Sequence, residues 1–191
     1  MGYPNVIAVT SPSRRSGKGT ISNLLVREYG YTEFSFALPI KTMFIALLMY
    51  AEVPQAIYPR ILDGDLKETP VLAGLSLRNF AEGVGTKWGR EMHDPEVWVK
   101  IGEQKLDKML AKGHRVVISD GRFWNECNLA RERGGEVWSV ERPVENGGLA
   151  PTLASEGHLK DYPFDVRFYN SCTVADLEDS VREAMKFAAV R

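Results

Sequence analysis

This chain has few cysteines, few histidines and almost no net charge, and each of these facts excludes a class of protein. There are two cysteines and three histidines in 191 residues, so neither a disulfide framework nor a structural zinc site is expected. The formal net charge is −1, so no long-range field attracts nucleic acid or an anionic membrane. No apolar run is long enough to span a bilayer, and no signal peptide is recognisable. The composition therefore predicts a reduced cytoplasmic protein.

Short apolar segments alternate with helical patterns along the chain. Hydrophobic residues make up 44% of the sequence, which is enough for one compact domain with a full core. Strands are predicted at residues 6–10, 34–36, 115–119, 137–140 and 166–169. Strands that alternate with helices form a parallel sheet with both faces covered. The sequence thus predicts a single α/β domain over residues 1–191, with an irregular insert at 54–75 where proline and glycine are frequent.

A glycine-containing loop follows the first predicted strand and precedes an amphipathic helical pattern. Backbone N–H groups at such a helix N-terminus bind the phosphates of ATP, and glycine lets the backbone approach them. Lys18 is expected to reach the β- and γ-phosphates, and the Thr20 hydroxyl to bind Mg²⁺. Pro12 stands where the Walker pattern has its first glycine, and the alternative is a turn that only caps a helix. The predicted ATP-binding residues are Ser13, Arg14, Arg15, Ser16, Gly17, Lys18, Gly19 and Thr20.

Charged side chains follow two further strands. Asp120 and Arg122 come after the strand at 115–119, and Arg142 follows the strand at 137–140. Because ligands of parallel α/β sheets gather at the carboxyl ends of the strands, these side chains are expected beside the loop. A carboxylate there can bind Mg²⁺, and a guanidinium can neutralise a phosphate. The predicted catalytic residues are Lys18, Asp120, Arg122 and Arg142, with Thr20 and Asp120 as metal ligands. The alternatives are a turn or helix cap for Asp120 and a surface position for Arg142.

The middle of the chain combines cations with aromatic residues. Lys41 lies in the first turn of a predicted helix, and Arg78 begins another over residues 77–90. In that second helix Thr86 and Arg90 share a face by their i,i+4 spacing, and Trp98 follows it. This combination indicates a second ligand that carries both a phosphate and a ring. Each residue taken alone could equally belong to the core or to a solvated surface.

Together these motifs resemble the phage-type deoxynucleoside monophosphate kinases, within the P-loop nucleoside monophosphate kinase superfamily. The matching pieces occur in order along nearly the whole chain: FALPIK at 36–41, DGDLKE at 63–68, VGTKWGR at 84–90, DGR at 120–122 and VERP at 140–143. After the last strand, Asn170 begins a turn that departs from the Asn-Asp-Gly pattern usual in the family. The resemblance implies a P-loop kinase fold, three-layer α/β/α with a five-stranded parallel sheet. It also implies an acceptor-binding insert near residues 39–98 and a lid near 143–163.

The resemblance further implies transfer of the γ-phosphoryl group of ATP to a deoxynucleoside monophosphate, with Mg²⁺ as cofactor and ADP as a product. The expected acceptor-binding residues are Lys41, Arg78, Gly85, Thr86, Arg90, Trp98, Asp120, Arg122 and Glu126. The implied setting is the cytoplasm of a bacterial host, with a small nucleotide as substrate, no membrane and a homodimer allowed. The base of the acceptor does not follow from the sequence, because base choice depends on the geometry of a few hydrogen bonds.

Two other functions are compatible with these residues. A related P-loop kinase could phosphorylate a small metabolite phosphate or a hydroxymethylpyrimidine in phage DNA. The near-neutral charge argues against duplex DNA as a substrate without excluding it. The second alternative is a nucleotide-binding switch or assembly ATPase without kinase activity. The residues of a second anion site argue against it, since a switch needs no acceptor.

Overall fold

A computed structural model describes residues 2–11, 16–143, 159 and 161–189. The strands are β1 (Val6–Thr10), β2 (Tyr31–Phe34), β3 (Arg115–Gly121), β4 (Glu136–Glu141) and β5 (Val166–Tyr169). The α-helices are α1 (Lys18–Tyr29), α2 (Leu38–Tyr50), α3 (Tyr58–Leu62), α4 (Leu77–Glu82), α5 (Val97–Ala111), α6 (Trp124–Glu132) and α7 (Val174–Ala188). A 3₁₀ turn at Gln55–Ile57 and a π-helix at Gly83–His93 complete the elements. The chain divides into a sheet unit, up to Ser35 and from Ile101 onward, and a middle unit, Phe36–Lys100.

The sheet unit is built on five parallel strands in the order β2-β3-β1-β4-β5. The predicted α/β class with a five-stranded parallel sheet is therefore confirmed. In the central strand, Thr10 lies opposite Gly121 of β3 and Ser139 of β4. The carboxyl ends of β1, β3 and β4 are consequently neighbours at one edge of the sheet, where ligands of such sheets bind.

The second strand lies at Tyr31–Phe34 and not at the predicted residues 34–36. The reason is the end of α1, where Gly30 adopts the left-handed conformation with φ 68°. Glycine reaches that conformation without a steric cost, so it ends the helix abruptly. The strand therefore begins at the very next residue, three positions before the start that the pattern predicts.

The hydrophobic core of the sheet unit covers both faces of the sheet. On one face, alternate residues of the strands pack with α1 and α7. Examples are Ile7 of β1, Leu24 of α1 and Val181 of α7, which are all fully buried. Val6 and Ala8, which alternate with Ile7 along β1, are also fully buried. Helix α6 packs against β1, β3 and β4. The sheet is thus the middle layer of three, as an α/β/α architecture requires.

The middle unit has a small core of its own. Phe44 and Leu48 of α2 pack with Ile61 of α3 and Leu77 of α4, and all are almost fully buried. Helix α3 lies inside the stretch 54–75, so the prediction of an irregular insert there was wrong in part. Pro59 stands in the first turn of α3, where the missing N–H of proline costs nothing. Proline therefore begins a helix here and does not mark a loop.

No helix in the described ranges is long and apolar enough to cross a membrane. The two cysteines are both free thiols, Cys127 buried and Cys172 exposed. Burial raises the pKa of the Cys127 thiol to about 12, because the charged thiolate is poorly solvated inside the fold. Cys127 is thus an ordinary core residue and not a reactive group.

Candidate functional site

The described end of the predicted phosphate loop is Ser16 and Gly17, directly before α1. Gly17 is the N-cap of α1 and has φ 113°, a backbone conformation that favours glycine. The N-cap residue, a glycine, has no side chain with which to cap the helix, and the first turn of α1 contains no acidic residue. The first N–H groups of a helix have no acceptor within it, so this N-terminus suits an anion. Ser13, Arg14 and Arg15, which were also predicted to bind ATP, lie outside the described residues together with Pro12.

Buried hydroxyl groups beside the loop fit a phosphate ligand. Ser16 Oγ and Thr10 Oγ1 are almost fully buried, and neither has a hydrogen-bond partner among the described residues. A buried polar group without a partner costs about 1–3 kcal/mol, a cost that phosphate oxygens can remove. Lys18 and Thr20 lie in the first turn of α1 and are partly exposed. A cation and a hydroxyl at this place suit a nucleotide phosphate and Mg²⁺, which prefers oxygen ligands.

Asp120 lies within β3 and is held by a neighbouring strand end. The Ser35 hydroxyl, directly after β2, donates a hydrogen bond of 2.7 Å to Asp120 Oδ2. Helix α6 begins only at Trp124, and the carboxylate of Glu126 caps it. The interpretation of Asp120 as the cap of that helix was therefore wrong. Asp120 is a partly exposed residue at the carboxyl edge of the sheet.

Glu126 is buried, and its carboxylate accepts hydrogen bonds from the backbone just before α6. Its Oε2 accepts hydrogen bonds from Arg122 N at 2.7 Å and from Phe123 N at 3.3 Å. This carboxylate therefore fixes the backbone from which the partly exposed Arg122 side chain projects. Arg142 follows β4 and is exposed. Direct contacts of Glu126, Arg122 and Arg142 with a nucleotide remain predictions.

The predicted lid near residues 143–163 lies mainly outside the described residues. At its end, Leu159 and Tyr162 are almost fully buried. Arg131 of α6 donates to Tyr162 OH at 3.1 Å and also to the carbonyl of Pro163. This end of the segment is therefore packed on the sheet unit. Among the described residues, no three His, Cys, Asp or Glu side chains form a metal-binding group.

In the middle unit, two of the three predicted acceptor-binding cations, Lys41 and Arg78, pair with carboxylates of the DGDLKE segment. Lys41 Nζ lies 2.6 Å from Asp63 Oδ1. Arg78 Nε lies 3.0 Å from Glu68 Oε1, an ion pair without hydrogen-bond geometry. The side chains of the cations are 24% and 23% exposed, whereas those of the carboxylates are 72% and 62% exposed. Ion pairs with such exposed partners contribute little stability, so a phosphate can replace the carboxylates at modest cost.

The predicted helix at 77–90 is divided, because α4 continues as the π-helix Gly83–His93. Trp98, predicted to contact the acceptor, is 6% exposed, and its Nε1 donates to the Gly85 carbonyl at 2.8 Å. Arg90 is buried and donates to the Pro95 carbonyl at 2.6 Å. These bonds hold the π-helix. Such helices are rare in proteins, and those that occur are often at functional sites. The partly exposed Thr86 lies in the same element, and contact of these residues with an acceptor remains a prediction.

Gly89→Ala should destabilise the protein by about 1–3 kcal/mol, the usual cost of overpacking. A Cβ at Gly89 would lie 2.6 Å from Trp98 Nε1 and 2.9 Å from two ring carbons. Gly83 of the same π-helix is a matched control, since a Cβ there would meet nothing within 4 Å. Urea unfolding of both variants measures the difference. Equal stabilities would show that Trp98 does not determine this segment.

The predicted site residues divide between the two units. The sheet unit carries Ser16, Gly17, Lys18, Gly19, Thr20, Asp120, Arg122, Glu126 and Arg142, and the middle unit carries Lys41, Arg78, Gly85, Thr86, Arg90 and Trp98. The middle unit, Phe36–Lys100, has nearly the bounds of the predicted acceptor-binding insert at 39–98. Sequence analysis missed Ser35, which contacts Asp120 across 85 residues. It had named the DGDLKE segment but not the pairing of its carboxylates with Lys41 and Arg78, because a match of sequence pieces does not show contacts.

No protein-family model matches the chain. A curated protein of Acanthamoeba polyphaga mimivirus, named "Putative deoxynucleotide monophosphate kinase", is 29% identical over 178 residues. The match covers 87% of this chain and 89% of that protein. It therefore spans both units.

Solved kinase structures share the fold at low identity. Shikimate kinase from Aquifex aeolicus vf5 has a TM-score of 0.54 at 16% identity and covers 95% of this chain and 96% of its own. Dephospho-CoA kinase from Campylobacter jejuni has a TM-score of 0.51 at 17% identity, and the match covers 97% of this chain and 98% of that kinase. The chain thus has the fold of the P-loop kinases, and the resemblance to deoxynucleoside monophosphate kinases is confirmed by its viral relative.

Proposed function

We propose that this protein is a deoxynucleoside monophosphate kinase, which transfers the γ-phosphoryl group of ATP to the phosphate of a deoxynucleoside monophosphate. The observation that carries the proposal is the glycine-led N-terminus of α1, which follows the central strand of the sheet and has no acidic residue in its first turn. The cations of the middle unit and the name of the viral relative support a nucleotide as the acceptor.

The proposed donor site lies in the sheet unit. The N–H groups at the start of α1 hold the phosphates of ATP, and Lys18 neutralises charge on the group being transferred. Thr20 and Asp120 hold Mg²⁺, which supplies further charge neutralisation on the β- and γ-phosphates when bound. Arg122 and Arg142 add further positive charge beside the phosphates of ATP. Because the acceptor phosphate is already a nucleophile, positioning and electrostatics suffice and no general base is needed.

The proposed acceptor phosphate binds Lys41 and Arg78 in the middle unit. In the structure these cations are neutralised by Asp63 and Glu68. An incoming phosphate takes the place of the two carboxylates, so the cations are never left without a counter-charge. The exposed carboxylate side chains then return to water at little cost.

A coupled ADP-release assay with ATP and Mg²⁺ tests the function. The acceptors are the deoxynucleoside monophosphates, the matching ribonucleotides and DNA oligonucleotides with and without hydroxymethylpyrimidines. We expect ADP release that depends on a deoxynucleoside monophosphate. Release that depends only on DNA would instead identify a DNA-base kinase. Release without any acceptor would identify an ATPase.

Lys41→Ala should raise KM for the acceptor at least about fivefold and leave KM for ATP nearly unchanged, since a charge-assisted hydrogen bond is lost. Arg78→Ala should act in the same direction. Asp63→Asn is the matched control, because it breaks the same ion pair but keeps the cation. If Lys41 binds the acceptor, Asp63→Asn lowers the acceptor KM or leaves it unchanged. If the ion pair is only structural, both variants show the same defect.

A further inference from the structure

Asn170 holds the backbone of the phosphate loop from the end of the last strand. Its Nδ2 donates a hydrogen bond of 2.8 Å to the Ser16 carbonyl, across 154 residues of sequence. Its own N–H donates to the Glu141 carbonyl at 2.8 Å, so the end of β4 keeps it in place. The residue is 8% exposed. A buried residue whose backbone N–H and side-chain NH₂ both donate hydrogen bonds is held in a defined position.

Gly17 of the phosphate loop packs closely against Asn170 and Leu177. A Cβ at Gly17 would lie 2.8 Å from Asn170 Nδ2 and 2.7 Å from Leu177 Cδ2. Only a residue without a Cβ permits so close an approach, and the φ of 113° at Gly17 excludes other residues independently. The Ser16–Gly17 peptide therefore lies directly on Asn170 and on the first turn of α7.

The hydrogen bond determines the direction of the Gly17 N–H, at the start of the proposed phosphate site. A trans peptide is planar, so its carbonyl and its N–H point in opposite directions. When Asn170 holds the Ser16 carbonyl, the Gly17 N–H of the same peptide must point away from Asn170. If the hydrogen bond is lost, this peptide can rotate and turn the N–H out of the anion site.

We propose that Asn170 is a positioning residue that orients the Gly17 N–H toward the phosphates of ATP. This inference rests on the proposed ATP site but not on the identity of the acceptor. It differs from a contact with the base, because Asn170 acts here through the loop and on the phosphate chain alone.

Asn170→Leu tests the role, because leucine keeps the volume, removes the donor and adds no charge; Asn170→Ala is the second variant. Titration calorimetry measures the binding of ATP and of inorganic tripolyphosphate, which has phosphates but no base. We expect both ligands to bind about fivefold more weakly, the effect of one lost hydrogen bond. In kinetics, KM for ATP rises and KM for the acceptor does not.

Leu177→Val is the structural control, since it loosens the packing on Gly17 but keeps the Asn170 donor. At a similar loss of Tm, this variant should bind tripolyphosphate like the wild type. If its affinity falls as far as that of Asn170→Leu, the role of Asn170 is only structural. Weaker binding of ATP with unchanged binding of tripolyphosphate would make Asn170 a base contact. If the wild type binds ATP but shows no acceptor-dependent turnover, the kinase function is contradicted. The comparison of tripolyphosphate binding between Asn170→Leu and Leu177→Val would still test the role of Asn170.

Discussion

Lys18→Ala should lower kcat about a thousandfold, equivalent to about 4 kcal/mol of transition-state stabilisation. Lys18 lies in the first turn of α1, where the helix N-terminus already favours an anion. A cation there neutralises the charge that develops as the phosphoryl group leaves ADP. Because the side chain is partly exposed and outside the core, the Tm should stay almost unchanged. Coupled ADP release and a thermal melt measure both quantities.

Lys105→Ala is the matched control, since it removes an exposed lysine from α5 in the same unit. It should leave turnover unchanged. The control excludes a general effect of net charge on turnover. Turnover near the wild-type level in Lys18→Ala would reject the loop before α1 as the catalytic phosphate site.

The parallel sheet was predictable because its strands are short apolar runs separated by helical patterns. Val6–Thr10 is buried at every position, so its sequence is continuously apolar up to Thr10. The start of β2 was not predictable from alternation, because it depends on Gly30 ending α1. Short partly buried strands carry a weaker pattern than central ones.

The π-helix could not be predicted from sequence spacing. The 77–90 pattern indicates a helix, but the change to the wider π-helical turn depends on tertiary contacts. The close approach of Gly89 to Trp98 and the bond from Trp98 to Gly85 are such contacts. Local propensity contains no information about them, so the helix was predicted and its type was not.

The candidate site shows the same division. Lys18 and Asp120 were predicted as site residues because the topology of parallel sheets places ligands at the carboxyl ends of the strands and the loops that follow them. The contacts that support the site were missed, although Asn170 itself had been named as the start of a turn. Ser35 contacts Asp120 across 85 residues, and Asn170 contacts Ser16 across 154. A pattern in one sequence does not reveal contacts of that range.

Asp120 is the residue whose chemical and structural roles a single substitution separates best. Its Oδ2 accepts the Ser35 hydroxyl at 2.7 Å, and α6 is capped by Glu126 instead. Asparagine can also accept a hydrogen bond from Ser35, so Asp120→Asn keeps the shape and this contact. What the substitution removes is the negative charge, which Mg²⁺ or a group of the acceptor would need.

Asp120→Asn should therefore lower kcat about tenfold or more, equivalent to about 1.4 kcal/mol or more of transition-state stabilisation, with Tm almost unchanged. Raising the Mg²⁺ concentration should recover part of the loss if the carboxylate helps to hold the metal. Ser35→Ala is the control, since it removes the hydrogen bond but keeps the charge, and its loss of kcat should be smaller. Steady-state kinetics over a range of Mg²⁺ and a thermal melt measure these effects. An unchanged kcat in Asp120→Asn would show that the carboxylate serves only to join β2 to β3.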